Sequence, residues 1–446
     1  MGRFAKRHEM DLSDAPDPAR PPAVMTTRLA VLLSTACGLI AANIYYAQPL
    51  AGLIGPALGL SPGAAGLIVT LTQFGYGLGL LLVVPLGDLL ENRGLVLALG
   101  AAGVAALLGA ALAGSPALFL GASLCIGLSS VSVQILVPYA SHLAPEETRG
   151  RVVGNIMSGL MLGIMLARPV ASLIAHQASW RAVFVLSASV LLLVSLVLAR
   201  ALPPRRPASS IGYGHLLLSM ARLARTTPVL QQRALCHAGL FAAFSLFWTT
   251  VPFLLAGPAY RFSQAGIAWF AFAGIAGAVA APIAGRLADR GWSRAATVFA
   301  MLLAAASFLI THFGRPGSTL ALGLLVAAGV LLDFGVTTHL VLGQRALFLL
   351  GAEYRNRLNG LFMATFFMGG ALGSAVGGWA YAHGGWRLAS FIGFALPLAS
   401  LAYYCATNRA SRPAPGVQPA RAAAKPPTDR NSVTPAARPS GTLPAK

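Results

Sequence analysis

Two charged residues stand where charge is costly. Asp333 lies inside the apolar run around L332-D-F-G-V-T, and Arg168 closes the run G163-I-M-L-A-R. A charge at bilayer depth costs several kcal/mol, from ~3 upward, so such a group faces a partner or a water-filled cavity. Asp333 is the only acidic residue in any apolar run. It falls about 15 residues into its run, ~22 Å at 1.5 Å per residue, near the middle of a membrane. A carboxyl there is a candidate for taking up a proton on one side and releasing it on the other; the structural alternative is a cap for a helix break near Gly335, or an ion pair. Arg168 falls about 17 residues from the other end of its run, ~25 Å along. A guanidinium keeps its proton at any ordinary pH, which leaves Arg168 as an anchor on backbone carbonyls, an attractor of anions or a gate lock.

The elements that must hold these residues are membrane helices. Hydrophobic types make up 56% of the 446 residues and charged types 10%, with mean hydropathy +0.71, which excludes a water-soluble globule. A bilayer needs ~20 apolar residues per helical pass, and twelve segments qualify: 29–49, 63–86, 95–113, 117–140, 151–175, 181–202, 234–256, 264–285, 295–313, 318–343, 359–382 and 386–405. With both termini inside, 27 of the 32 Lys and Arg fall on the cytoplasmic side; only Arg181, Arg261, Arg315 and Arg387 stay outside, with Arg168 in a span. That bias sets the expected orientation as N-in and C-in. The net charge of +20 belongs to these loops and tails, so no nucleic-acid partner is expected. Cys37, Cys125, Cys236 and Cys405 sit in apolar runs without metal or disulfide spacing. No metal and no cofactor are expected.

The expected domain map is a cytoplasmic tail over 1–28, a six-helix half over 29–202, a cytoplasmic linker over 203–233, a second half over 234–405, and a disordered cytoplasmic tail over 406–446, rich in Pro, Ala, Arg and Ser. The linker reads either as an amphipathic helix on the inner leaflet, with Leu216, Leu217, Met220, Leu223 and Ala224 on one side, or as a solvated connection. Duplication is explicit. E146-E-T-R149-G-R151-V-V-G154, Gly163 and Trp180-Arg181 return as E353-Y-R355-N-R357-L-N-G360, Gly369 and Trp386-Arg387, at a constant offset of 206 (355 − 149) from Arg149 onward. Two related halves of membrane helices are the plan of a transporter.

The loops G285-R-L-A-D289-R290-G-W-S-R294 and V84-P-L-G-D88-L-L-E-N-R93 keep an Asp five residues before an Arg. Here the chain resembles the major facilitator superfamily, whose loop signature is Gly-x-x-x-Asp-Arg/Lys-x-Gly-Arg/Lys-Arg/Lys. Gly285, Asp289, Arg290 and Arg294 match it, while Val84 and Leu89 depart in the first copy. The resemblance implies that these charges, Asp88 and Arg93 among them, latch the state closed on the inside. Gly154, Gly163, Ala167-Arg168 and Ala171 stand at the positions of the superfamily's antiporter signature, with Arg168 in place of Pro; Gly360, Gly369, Gly373-Ser374 and Gly377 repeat the spacing. Small residues so spaced make a flat helix face that another backbone can approach. With N43-I-Y-Y-A-Q48-P, the pattern is similar to the drug and sugar efflux branch. In that family helices one, four, seven and ten line the cavity, which makes Asn43, Tyr45, Tyr46, Gln48, Gln134, Trp248, Thr249, His339 and Gln344 candidate cavity residues.

The expectation is therefore an all-α membrane protein of twelve helices in two pseudo-symmetric halves. It is a non-enzymatic, monomeric secondary transporter that exports a small molecule across a lipid bilayer, with protons as coupling ion and Asp333 as the proton site. Import or facilitation on the same fold is the alternative, and a non-transporting receptor a distant one. ATP-driven transport is disfavoured, since the chain has no Walker loop.

Overall fold

The computed structural model describes residues 25–207, 212–351 and 354–410, without the side chains of 276–278, 409 and 410. Most of both expected tails, linker residues 208–211 and Glu353 of the second repeat lie outside the described residues. Ten described helices are long and apolar enough to cross a membrane, and Thr27–Ala42 is a shorter apolar helix that makes the first pass. We label the spans α1 (Thr27–Ala42), α2 (Pro62–Asp88), α3 (Asn92–Ala111), α4 (Pro116–Leu143), α5 (Glu146–Gln177), α6 (Trp180–Ala201), α7 (Pro228–Ala256), α8 (Gln264–Asp289), α9 (Ser293–Ile310) and α10 (Thr319–Phe348). The last helix, Arg355–Ala410, turns at Gly384 and Gly385 and makes two passes, α11 (355–383) and α12 (386–410); Gly385 holds φ at +58°, a conformation that suits glycine. Twelve passes result, α1–α6 and α7–α12 forming the two halves. Serine starts several of them: Ser115, Ser179 and Ser318 each accept a hydrogen bond from an N–H of the first turn of α4, α6 and α10.

The first pass departs from the expected unbroken 29–49 segment. α1 ends at Ala42, and residues 43–50 run as successive turns whose N–H groups reach back three residues, as from Tyr45 to Ala42 and from Gln48 to Tyr45, before a short helix resumes at Ala51–Ala57. Pro49 has no N–H to give and disfavours helix at Gln48. α8 tightens similarly, into a 3₁₀ stretch over Ala273–Val279.

Within each half the repeated glycines set helix pairs in backbone contact. A Cβ on Gly163 would lie 2.1 Å from the carbonyl oxygen of Gly38 on α1; one on Gly369 would lie 2.4 Å from that of Ala238 on α7, and one on Gly373 2.1 Å from that of Ala242. Gly377 meets Leu246. The contact face ends there: at Gly154 and Gly360 a Cβ would meet nothing within 4 Å, although the neighbouring residues Asn155 and Asn359 are reached by Ser34 of α1 and Gln344 of α10. These two glycines, expected to pack, do not.

We call the end that carries the 84–93 and 285–294 loops the basic face. Towards the opposite face the halves are sealed along α2 and α11. A Cβ on Gly66 would lie 2.4 Å from the carbonyl oxygen of Ser374; Thr70 Oγ1 donates to the Ala371 carbonyl at 3.1 Å; the Tyr76 and Phe367 rings meet at 4.5 Å. Towards the basic face the halves part around a cleft of about 140 Å³ whose lining includes Asp88, Gln134, Tyr139, Arg205, Arg357 and Asn359. The linker forms a helix over Tyr213–Thr226. It spans the halves: Tyr213 donates to the Leu82 carbonyl of α2 at 2.7 Å, Arg357 of α11 donates to Ser219 at 3.4 Å, and Leu216 and Met220 are buried beside the cleft.

Candidate functional site

The two intramembrane charges, read from different halves of the sequence, converge on one indole. Trp248 of α7 donates its Nε1–H to Asp333 Oδ1 at 2.8 Å, and the Arg168 guanidinium lies over the Trp248 ring, 4.7 Å from its centroid. Arg168 also lies 5.1 Å from the ring centroids of Tyr45 and of Phe244, and its Nε donates to Gln48 Oε1 at 2.7 Å. The breakdown of α1 at residues 43–50 is what carries Tyr45 and Gln48 to this point. Arg168 is 5% exposed and Asp333 7%, so neither charge is neutralised by water, and each relies on the other and on this cage. Arg168 Nη2 and Gln48 Nε2 remain buried without partners.

Gly274, in the 3₁₀ stretch of α8, was not legible as a site residue. A Cβ there would lie 2.9 Å from Asp333 Oδ2 and 2.9 Å from the Trp248 ring, so only glycine lets α8 pass behind the pair. Below the cage a polar ladder crosses between halves. Gln73 of α2 donates to Ser245 at 2.8 Å, Ser245 and Ser374 share a 2.6 Å hydrogen bond, and Thr249 reaches Ser374 at 3.2 Å. Ser374 is the counterpart of Arg168 at the 206-residue offset.

The other expected cavity residues are scattered. Asn43 accepts from Ser187 of α6, inside its own half, and Tyr46 is half-buried beside it. Gln134 lines the basic-face cleft and donates to Tyr76 at 3.0 Å; Gln344 donates to Asn359 at 3.1 Å. His339 faces away from Asp333 and meets His237, a residue the sequence did not single out, with Nδ1 atoms 3.1 Å apart.

The loop charges pair differently from a simple Asp-Arg latch. Asp289 joins Arg345 at the end of α10, 2.6 Å apart, with Arg290 next to it and Arg294 in the first turn of α9; both partners are well exposed, and surface pairs of this kind contribute about 0–1 kcal/mol. Gly285 has open space around it. In the first loop Arg93 donates to the Ala199 carbonyl at 2.6 Å, while Glu91 caps α3, accepting from the N–H groups of Arg93 and Gly94 at 2.8 and 2.7 Å and from that of Arg205 at 3.1 Å. Partial burial pushes the Glu91 carboxyl up, but those three N–H groups and the Arg93 charge outweigh it and hold it below the usual carboxylate range. Asp88 points into the cleft, within electrostatic reach of Arg357 from the other half.

Twelve helices in two halves around a cage of polar groups agree with what known proteins show. Residues 32–346 and 233–438 match the family model described as Major Facilitator Superfamily. The chain is 40% identical over 384 residues to "Uncharacterized transporter YgaY" of Escherichia coli O157:H7, covering 86% of this chain and 96% of that one. It is 34% identical over 356 residues to "Probable transporter SCO4007" of Streptomyces coelicolor, covering 80% and 82%. Among solved structures, a mutant of the nucleoside transporter NupG superposes with TM-score 0.70 at 13% identity, over 84% of this chain and 99% of that one. A bacterial homologue of the human lysosomal transporter Spinster, in an inward-facing and unoccupied conformation, gives 0.66 at 14%, over 87% and 98%. A chain with these matches and this architecture belongs to the Major Facilitator Superfamily, and is a multi-pass membrane transporter of a small molecule.

Proposed function

We propose that the protein is a proton-coupled secondary transporter, exporting a small molecule by alternating access. The observation that carries the reading is the Asp333–Trp248–Arg168 contact, because it joins an acid of the second half to a fixed positive charge of the first. While Asp333 is ionised, its attraction to Arg168 holds α10 and α7 against α5. A proton on Asp333 removes that attraction and leaves Arg168 to Gln48 and the aromatic rings. The halves then separate on one side and close on the other, as an interface with two discrete packings allows. The basic face is the cytoplasmic one in this reading, with both termini inside a bacterial cytoplasmic membrane, supported by the lysine and arginine bias and by the bacterial relatives. The protein then stands open to the cytoplasm through the cleft. Residues 29–202 and 234–405 act as the moving units, with 203–233 as the tie between them. Export is preferred over import on the likeness of the α5 glycine face to the antiporter pattern.

In the inside-closed state Asp88 meets Arg357 rather than Arg93, because those two side chains face each other across the cleft. The coupling is tested in proteoliposomes with an imposed pH gradient, using compounds selected by thermal shift. Substrate should drive proton movement in the native protein and not in Asp333→Asn; proton movement that survives in Asp333→Asn refutes the assignment.

A further inference from the structure

His237 of α7 and His339 of α10 form a pair that the cage does not use. Both are fully buried; their rings are parallel to within 3°, with centroids 5.2 Å apart and Nδ1 atoms 3.1 Å apart. Only one proton fits between two nitrogens at that distance, so one ring donates its Nδ1–H and the other accepts on Nδ1. The accepting ring then carries its own proton on Nε2, and the donating ring has a lone pair on Nε2. Both Nε2 atoms are buried without a partner. Leaving a buried donor and a buried acceptor unpaired costs roughly 1–3 kcal/mol each, and a pair kept only for packing would have no reason to bear it.

The surroundings say where a proton could come from and go. His339 follows Asp333 by six residues on α10, ~9 Å towards the basic face. Phe241, Phe362 and Phe366 wall the pair from α7 and α11, the Phe362 ring stacking on His237 at 5.4 Å. Among the described residues the charged groups near it are few. Arg233 stands one turn before His237 on α7, held by Thr297 of α9 and by the Tyr404 ring of α12. On α10, Asp333 is turned to Trp248 and Arg345 is paired with Asp289. On α11, Arg357 reaches the linker helix.

We infer that the His237–His339 pair is the inner leg of the proton path, moving protons between Asp333 and the cytoplasmic cleft. A proton arrives at the free Nε2 lone pair of the donating ring. That ring passes its Nδ1 proton across the 3.1 Å hydrogen bond, and the partner releases its Nε2 proton on the far side. One proton enters and one leaves, and the two rings exchange tautomers. The ~9 Å step to Asp333 is too long for direct transfer, and both Nε2 atoms are closed off in the state described, so water that enters as the helices move between states delivers the proton at one Nε2 and accepts it at the other. This inference rests on the proton-coupled reading of Asp333.

The test needs no transported substrate, because Trp248 reports on the carboxyl it bonds. The full-length protein in lipid nanodiscs is taken through a downward pH jump, and the part of the tryptophan fluorescence change that Asp333→Asn abolishes is followed in time. In His339→Gln and in His237→Gln that change should keep its final amplitude but slow by about a hundredfold, the lower end of what a positioned proton-transferring side chain contributes. An unchanged rate in both variants overturns the inference while leaving Asp333 as the proton site. A signal that Asp333→Asn does not abolish refutes the coupling reading instead. Should a glutamine variant fail to fold by thermal unfolding, His237→Asn and His339→Asn replace it, and a rate lost together with the amplitude assigns the pair to packing and overturns the proposal.

Discussion

Trp248 donates its indole N–H to Asp333 at 2.8 Å while its ring face carries the Arg168 guanidinium 4.7 Å away. One side chain thus touches both intramembrane charges, and a change at either is felt by the other through it.

Replacing Trp248 by Phe keeps an aromatic ring but removes the hydrogen bond, leaving a buried carboxyl oxygen unpartnered. The expected loss is about 1–3 kcal/mol, read as a lower unfolding temperature in detergent. An unchanged temperature would mean that the Trp248–Asp333 bond contributes nothing to the resting state.

Gly274→Val should be worse than its place in an apolar run suggests. Its side chain would enter the space of Asp333 Oδ2 and the Trp248 ring, and overpacking of this kind costs typically about 1–3 kcal/mol. Tryptophan fluorescence should shift in Gly274→Val and stay native in Gly285→Val, where the space is open.

Gly66 makes a tight backbone approach between the halves on the face opposite the basic loops. In Gly66→Leu that seal should open, and a cysteine placed at Thr70 should react with a membrane-impermeant thiol reagent from outside several-fold faster than in the parent. Equal labelling would show that the α2–α11 contact is not the outer gate.

Asp88→Cys combined with Arg357→Cys should form a disulfide when the cleft closes and lock the protein inside-closed. A pair that never crosslinks under any condition that supports transport would remove Asp88 from the gate.

Glu91 caps α3, and capping side chains contribute about 0.5–2 kcal/mol. Its carboxyl is held below the usual range when folded, so this stabilisation is complete above the unfolded-state value and disappears as the pH falls through the folded one. Glu91→Gln should therefore lower the unfolding temperature at neutral pH, and the gap from the parent should narrow as the solution is made strongly acidic.

Part of the chemistry of this protein is legible in its sequence. Asp333 and Arg168 announce themselves because charge in an apolar run is expensive wherever the run is placed. Asn43 and Gln48 look alike in the sequence, five residues apart in one polar stretch, yet one bonds within its half and the other reaches Arg168. The difference comes from the turns around Pro49, whose path depends on what packs beside them. His237 carries no signal of its own, since a single histidine in an apolar helix acquires meaning only from the residue opposite.

Composition, the 206-residue repeat and the periodic small residues determined a membrane protein of twelve helices in two halves, because bilayer thickness and backbone hydrogen bonding leave little freedom to a chain so apolar. Tertiary structure alone decided that Arg168 and Asp333 share Trp248, that Gly274 makes room for them, and that the repeat's two versions of one position, Arg168 and Ser374, end in different company. Helix formation is local and can be read along the chain; which faces of α5, α7 and α10 meet is set by packing across 80 residues (248 − 168) or more, from Arg168 to Trp248 and on to Asp333, and no local pattern encodes it.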